Sequence, residues 1–271
     1  MNFARQRVLL TGGSSGIGRA IAEATVKRGA RVCLAARNPA RLQSAADEIA
    51  ARFPDVPHPI TCPCDVTDRL GVRRLVAECR DHLGGIDVLF NNAGTSVYGP
   101  VERMDAEDVA RVMAVNFQGA VSCILEVLPV MRRQGGGRIV NVGSLAGLHG
   151  PPFLAAYSAS KAALTALAQS LRAELAGSGV VITTVRADYT VSGMFAAEKN
   201  VGGARRPPGP YAPTVETAEA IVRAVERGRR DPALSFRGRA LSVVRVVAPG
   251  IVEHYMNRLA QELRAGEERS E

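Results

Sequence analysis

The chain has no tryptophan, no two cysteines separated by two residues and no run of five or more basic side chains. It also lacks an uninterrupted apolar stretch of the ~20 residues needed to cross a bilayer. Each absence closes off a class. The five cysteines are odd in number, and Cys62-Pro63-Cys64 is spaced too closely for a zinc knuckle and has no second pair to complete one. No metal site is expected. Cys33 and Cys123 stand in apolar runs and read as small buried hydrophobes. A reducing compartment, and so a cytoplasmic location, is the expectation. The formal charge is +8, from 34 Lys and Arg against 26 Asp and Glu. The basic residues neither cluster nor interleave with aromatics, so an arginine-rich solvated surface is expected and nucleic acid is not. Met1 to Arg7 is short, polar and runs straight into a strand pattern, so no leader and no membrane partner are expected. Without an internal repeat or a boundary linker, one domain over residues 1–271 is expected.

What is present is alternation. Apolar runs that suit strands occur at Arg7–Leu10, Arg31–Ala35, Pro59–Cys62, Val88–Asn91, Arg138–Val142 and Val180–Val185. Between and after them, helical periodicity covers Ile17–Arg28, Pro39–Arg52, Arg69–His82, Ala106–Arg132, Leu154–Ala176 and Val215–Arg227. The strands are almost continuously apolar, as in a parallel sheet covered on both faces. An α/β doubly wound parallel sheet follows, with a core over residues 5–190. Residues 190–214, rich in Gly, Pro and Arg, read as a mobile substrate loop. Residues 237–271 form a C-terminal helical extension whose last, charged residues fray.

The first strand runs into Thr11-Gly12-Gly13-Ser14-Ser15-Gly16-Ile17-Gly18 and a helix follows at once. Gly12 permits a sharp turn, Gly16 lets a pyrophosphate approach bare backbone, and Gly18 lets the helix lie tight on the strand. The free N–H groups of the helix N-terminus then face the phosphates. At the end of the second strand, where NAD-binding folds place an acid for the ribose 2′-hydroxyl, this chain has Ala36 and then Arg37. A guanidinium can bind a 2′-phosphate bidentately, so NADP(H) is expected over NAD(H). Arg37 can also be read as an ordinary exposed arginine.

Tyr157 and Lys161 are four apart in a helical pattern, hence on one face. A nearby ammonium stabilises phenolate and lowers a tyrosine pKa toward the range of general acid–base work. Alone, such a pair is usually surface decoration. Here Ser144 follows the apolar run Ile139-Val140-Asn141-Val142, at the carboxyl end of a parallel strand where ligands bind. Asn91-Asn92-Ala93-Gly94 ends the preceding strand, and Asn116 interrupts an apolar helical face. These motifs, in this order and spacing, resemble the short-chain dehydrogenase/reductase family over about two-thirds of the chain.

The resemblance implies a Rossmann fold and an oxidoreductase that interconverts a carbonyl and an alcohol with NADP(H). It implies Tyr157 as general acid/base, Lys161 lowering its pKa and holding the nicotinamide ribose, and Ser144 on the substrate oxygen. Asn116 would hold a water linking Lys161 to solvent. Cofactor contacts would come from Gly12, Ser14, Ser15, Gly16, Ile17, Gly18, Arg37, Asp65, Val66, Asn92, Ala93 and Gly94, with Asn91 also on the ribose side. A homodimer or homotetramer is implied. The chain departs from the family where Ala187-Asp188 replaces Pro-Gly. The aspartate brings a side chain to a turn that meets the nicotinamide; if the turn needs positive φ, it suits Asp less than Gly. Backbone contacts from Tyr189 or Thr190 are kept, and Ser192 either takes the usual threonine role or is a loop serine. Leu145, Leu148, Pro151, Pro152, Phe153, Met194 and Phe195 predict an apolar pocket for a lipophilic substrate, which draws on residues 95–100, 146–154 and the loop after Asp188. His149 is expected to be structural. For Leu241–Leu263, packing over the pocket, an oligomer contact and a membrane-surface helix all remain open. A non-catalytic dinucleotide sensor or partner-binding protein on the same fold is the alternative function.

Overall fold

The computed structural model describes residues 1–190, 198–207, 209 and 211–264. Ser192, Met194, Phe195 and the tail from residue 265 lie outside these, with the expectations placed on them. In chain order the elements are β1 (Arg7–Thr11), α1 (Gly16–Val26), β2 (Arg31–Ala36), α2 (Pro39–Arg52), β3 (Ile60–Pro63), α3 (Arg69–Leu83), β4 (Val88–Asn91) and β5 (Val97–Tyr98). There follow α4 (Ala106–Met113), a π-helical turn (Ala114–Gln118), α5 (Gly119–Arg133), β6 (Gly137–Ser144), α6 (Ala155–Glu174), β7 (Val180–Ala187), β8 (Lys199–Asn200), α7 (Thr214–Glu226), α8 (Phe236–Val247) and α9 (Pro249–Arg264).

Six strands form one parallel sheet in the order β3-β2-β1-β4-β6-β7. The chain winds outward from β1 to β3 and returns with β4 beside β1. The crevice at that reversal, outside the carboxyl ends of β1 and β4, is where open α/β sheets hold ligands. Both faces are covered, which is why the strands are continuously apolar. Val8, Leu10 and Phe90 pack with Ile21 of α1 and Ile221 and Val225 of α7. Leu9 and Leu89 pack on the other face with Val76 of α3 and Cys123 and Val127 of α5. By length and composition the helical stretch 106–133 could cross a membrane. Here Ile124, Val127 and Met131 of that stretch are core residues. All five cysteines are free and buried, and burial pushes the thiols of Cys64 and Cys123 up to about 11 and about 12.

Local chemistry sets the element ends. Asn38 caps α2 by accepting from the Arg41 N–H at 2.9 Å, with Pro39 at the first helical position. Asp68 caps α3 through the Leu70 N–H at 2.9 Å, and α3 stops at Gly84 with φ 80°. Two regions differ from expectation. The described part of the substrate loop is tied down, with β8 pairing in parallel with β5. Lys199 Nζ meets the Asp108 carboxylate at 2.6 Å, and the Tyr98 hydroxyl donates to the Arg205 carbonyl at 2.6 Å. A Cβ on Gly99, at φ 140°, would lie 2.1 Å from the Val201 carbonyl oxygen, so this crossing requires glycine. The C-terminal extension is two helices, not one, because Pro249 cannot continue α8 and instead starts α9.

Candidate active site

A cleft of about 900 Å³ lies along the carboxyl ends of β1, β2, β4, β6 and β7. Its nucleotide end is made by the glycine turn. Gly12 has φ 71° and Gly16 φ 55°, conformations that favour glycine. A Cβ on Gly18 would stand 2.1 Å from the Gly12 carbonyl oxygen, so only glycine lets α1 close on the turn. Asn92 Nδ2 donates to the Thr11 and Gly12 carbonyls at 3.0 and 3.2 Å, and Thr11 Oγ1 accepts from the N–H groups of Asn92 and Ala93, both at 3.1 Å. These bonds lock the end of β4 to the glycine turn. Ser15, at the start of α1, makes no capping hydrogen bond, and no acid lies in the first turn. The first N–H groups of α1 are therefore left for an anion.

Beyond this turn lie Arg37 and Arg41, both exposed and in no ion pair among the described residues. Asp65 and Val66 form the opposite wall, with Asp65 Oδ1 accepting from the Thr67 N–H and hydroxyl at 2.9 and 2.8 Å. Ser14, Ile17, Ala93, Gly94, Tyr189 and Thr190 also line the cleft. Asn91 does not. Its side chain turns into the core and donates to Asn141 Oδ1 at 3.0 Å, correcting its placement on the ribose side.

The cleft's middle gathers Ser144, Tyr157 and Lys161. Ser144 ends β6, where its Oγ accepts from the Ala146 N–H at 3.1 Å, and it shares the cleft wall with Tyr157. A Cβ on Gly147 would be 2.8 Å from the Lys161 backbone, which is how the loop after β6 lies flat on α6. Lys161 is buried, its Nζ donates to the Val142 carbonyl at 2.9 Å, and it sits 5.6 Å from the Tyr157 ring centre. Burial drops its pKa to about 8. The Tyr157 phenol moves opposite to the sequence-based expectation. Burial pushes it up to about 12, against the influence of the Ser144 hydroxyl and with the Glu198 charge adding to the rise. An ammonium already committed to a carbonyl does not outweigh that desolvation.

Asn116, in the π-helical turn, stands beside the cleft and not on it. Both of its amide hydrogens are used: Nδ2 donates to the Thr95 carbonyl and to Ser160 Oγ, both at 2.9 Å, and Oδ1 accepts from the Thr95 N–H at 2.8 Å. Asn116 thereby fixes the chain after β4 against α6. Asp188 keeps a negative φ. Its carboxylate accepts from Ser235 Oγ at 2.9 Å, and Ser235 Oγ accepts from the Gly238 N–H at 2.9 Å as the cap of α8. The aspartate's charge is thus turned toward a helix N-terminus, where it is favourable.

The substrate end is lined by Leu145, Pro151 and Leu154 as expected, together with Thr95, Ser96, Arg111, His149 and Glu198. Leu148, Pro152 and Phe153 are not on the wall. Phe153, at φ 65°, is buried edge-on against Tyr98. Ser235, Arg237, Leu241, Tyr255 and Met256 of the C-terminal segment also line the cleft, as does Arg41 at the nucleotide end. None of these was named as a site residue from the sequence. Arg41, one turn after Arg37, carried a usable signal; the contribution of α8 and α9 depends on tertiary packing.

The profile of the short chain dehydrogenase family matches residues 6–201. A dehydrogenase/reductase SDR family protein 7-like from Anopheles gambiae is 32% identical over 266 residues, covering 95% of this chain and 84% of that protein. An uncharacterized oxidoreductase of Mycobacterium tuberculosis is 39% identical over 180 residues, 66% of this chain and 53% of its own length. Among solved structures, a Burkholderia cenocepacia short chain dehydrogenase in complex with NADP superposes with a TM-score of 0.81 at 25% identity, covering 94% of this chain and 99% of that one. A Burkholderia phymatum relative in complex with NAD gives 0.80 at 25% identity, covering 93% and 96%. With profile, sequence and fold in agreement, the chain belongs to the short-chain dehydrogenase/reductase family.

Proposed function

We propose that this protein is an NADP(H)-dependent oxidoreductase that interconverts a carbonyl and an alcohol on a small lipophilic substrate. The observation that carries the reading is one continuous cleft joining the uncapped α1 N-terminus to Ser144 and Tyr157, with buried Lys161 beside them. The residues present fit a dinucleotide: the glycine cradle has no room for side chains, and the helix N-terminus has no ligand of its own. Gly12 to Gly18 would hold the pyrophosphate, and Asp65 and Val66 the adenine side. Arg37 and Arg41, without acid partners among the described residues, suit a 2′-phosphate. When bound, the nicotinamide supplies or accepts the hydride.

The chain's own work is proton transfer and orientation. Ser144 and Tyr157 donate hydrogen bonds to the substrate oxygen and stabilise the alkoxide that forms there. The Tyr157 hydroxyl then gives its proton to that oxygen. Burial keeps Tyr157 the neutral phenol at neutral pH, the form that donates a proton when a carbonyl is reduced. Lys161, protonated below about pH 8, orients the ribose and offsets charge on Tyr157 as its proton leaves. Leu145, Pro151, Leu154, Leu241 and Met256 give the pocket its apolar character. NADPH absorbance followed with a panel of apolar ketones and aldehydes tests the proposal. Turnover with at least one member is expected; tight NADPH binding with no turnover across the panel would favour the sensor.

A further inference from the structure

The C-terminal helices expose a face of the kind that helices normally bury. On α8, Phe236, Ala240, Val243 and Val247 recur at i, i+4, i+7 and i+11, the spacing of a single helical stripe. That stripe faces solvent: Phe236 is 79% exposed, Val243 59% and Val247 73%, with Val246 beside it at 73%. Past the Pro249 corner, Ile251 and Tyr255, one turn apart on α9, are 67% and 60% exposed. Among the described residues, the other exposed large hydrophobics are scattered singly from Met1 to Val215. Single exposed apolar residues are ordinary; a contiguous stripe signals a partner.

Charge selects the partner. Across α8 and α9 there are five arginines, Arg237, Arg239, Arg245, Arg258 and Arg264, against two acids, Glu253 and Glu262, the second of them paired with Arg258 at 3.1 Å. Arg237, Arg239 and Arg245 are exposed and in no ion pair among the described residues, and α8 has no acidic side chain. A second copy packed by two-fold symmetry would set this basic helix against its own kind with nothing on α8 to answer it. An apolar stripe flanked by unpaired guanidinium groups matches the boundary between anionic headgroups and acyl chains. The stripe also adjoins the cleft, since Arg237, Leu241, Tyr255 and Met256 are part of its wall.

We propose that α8 and α9 seat the protein on an anionic phospholipid surface, with the mouth of the cleft turned toward the bilayer. This reverses the sequence-based expectation of no membrane partner. A lipophilic carbonyl dissolved among the acyl chains then enters between Leu241 and Met256 without crossing water. That delivery step rests on the lipophilic-substrate reading; the docking does not.

The test is co-sedimentation of the full chain with vesicles of phosphatidylcholine alone and of phosphatidylcholine containing phosphatidylglycerol, at low and high salt. The wild type is expected to pellet with the anionic vesicles, less so in high salt. The Phe236→Ser/Val243→Ser/Val247→Ser variant is expected to lose at least about tenfold in partitioning. Its thermal midpoint and its turnover of a water-soluble carbonyl should stay at wild-type values. No binding to anionic vesicles, or equal binding by the variant, overturns the proposal. So does a wild-type dimer in light scattering that the variant dissolves, which assigns the stripe to a second copy. Absence of turnover in both proteins would sink the enzyme reading and leave the vesicle result legible.

Discussion

The two ends of the cleft are built on different principles. At the nucleotide end the backbone does the recognising. A side chain at Gly12 or Gly18 would collide with its neighbours, Gly16 takes a φ that favours glycine, and Asn92 and Thr11 lock the turn to the next strand with hydrogen bonds of 3.0 to 3.2 Å. At the substrate end side chains from distant segments do it. Leu145 and Leu154 meet Leu241, Tyr255 and Met256 there, and Asp188 reaches Ser235 across 47 residues. A backbone site is an all-or-nothing device in which one added methyl group collides with a carbonyl. A side-chain site can be retuned one position at a time, so substrate choice can change while the cofactor stays the same.

The largest expected effect lies where the two ends meet. Lys161→Met should cut turnover by about 10²–10⁴-fold, since the variant keeps the fold and loses the charge beside Tyr157. The same change should not destabilise the cofactor-free protein at neutral pH. Burial lowers the Lys161 pKa from 10.5 to about 8, so the unfolded chain binds more protons between those values. Wild-type stability from this group therefore rises as pH climbs from about 8 to 10.5, by up to about 3 kcal/mol, and is least favourable below that window. Chemical denaturation at pH 7.5 and pH 10 should show that rise in the wild type and a smaller one in the variant.

At the nucleotide end, Arg37→Ala should weaken NADPH by about 10–100-fold, as loss of a charged hydrogen-bond partner implies, and leave NADH nearly unchanged. Titration of both cofactors by fluorescence reads this, and equal losses for both refute the 2′-phosphate role. The smallest effect belongs to the substrate end. Ser235→Ala removes the α8 cap and the partner of Asp188, at a cost of about 1 kcal/mol. That corresponds to a fall of about 2–4 °C in the thermal midpoint for a chain of this size. A larger fall would mean that the C-terminal helices are as integral as the sheet.

The same contrast explains what the sequence could disclose. All six strands of the main sheet were legible because two-sided burial leaves no polar alternation, and α2 was legible to the residue because Asn38-Pro39 marks its start. Ser144, Tyr157 and Lys161 stand together on the cleft wall, as their family spacing implied. Asn91 was misplaced because it, the last residue of β4, and Asn92 just after it differ only in which face of the pleat they take, one into the core and one onto the glycine turn. The rise of the Tyr157 pKa was hidden, since desolvation belongs to the packed structure and not to the i, i+4 pair. Pairing of β8 with β5 went unread because two-residue strands have no periodicity. The outward stripe of α8 went unread, since which way its apolar residues face is decided only by packing.

Tyr157→Phe is the most direct trial of the central claim that one phenol moves the proton at the substrate oxygen. Paired measurement of NADPH turnover and NADPH affinity is needed. The account predicts at least about a 10²-fold loss of turnover with affinity essentially unchanged. Wild-type turnover in the variant would contradict it.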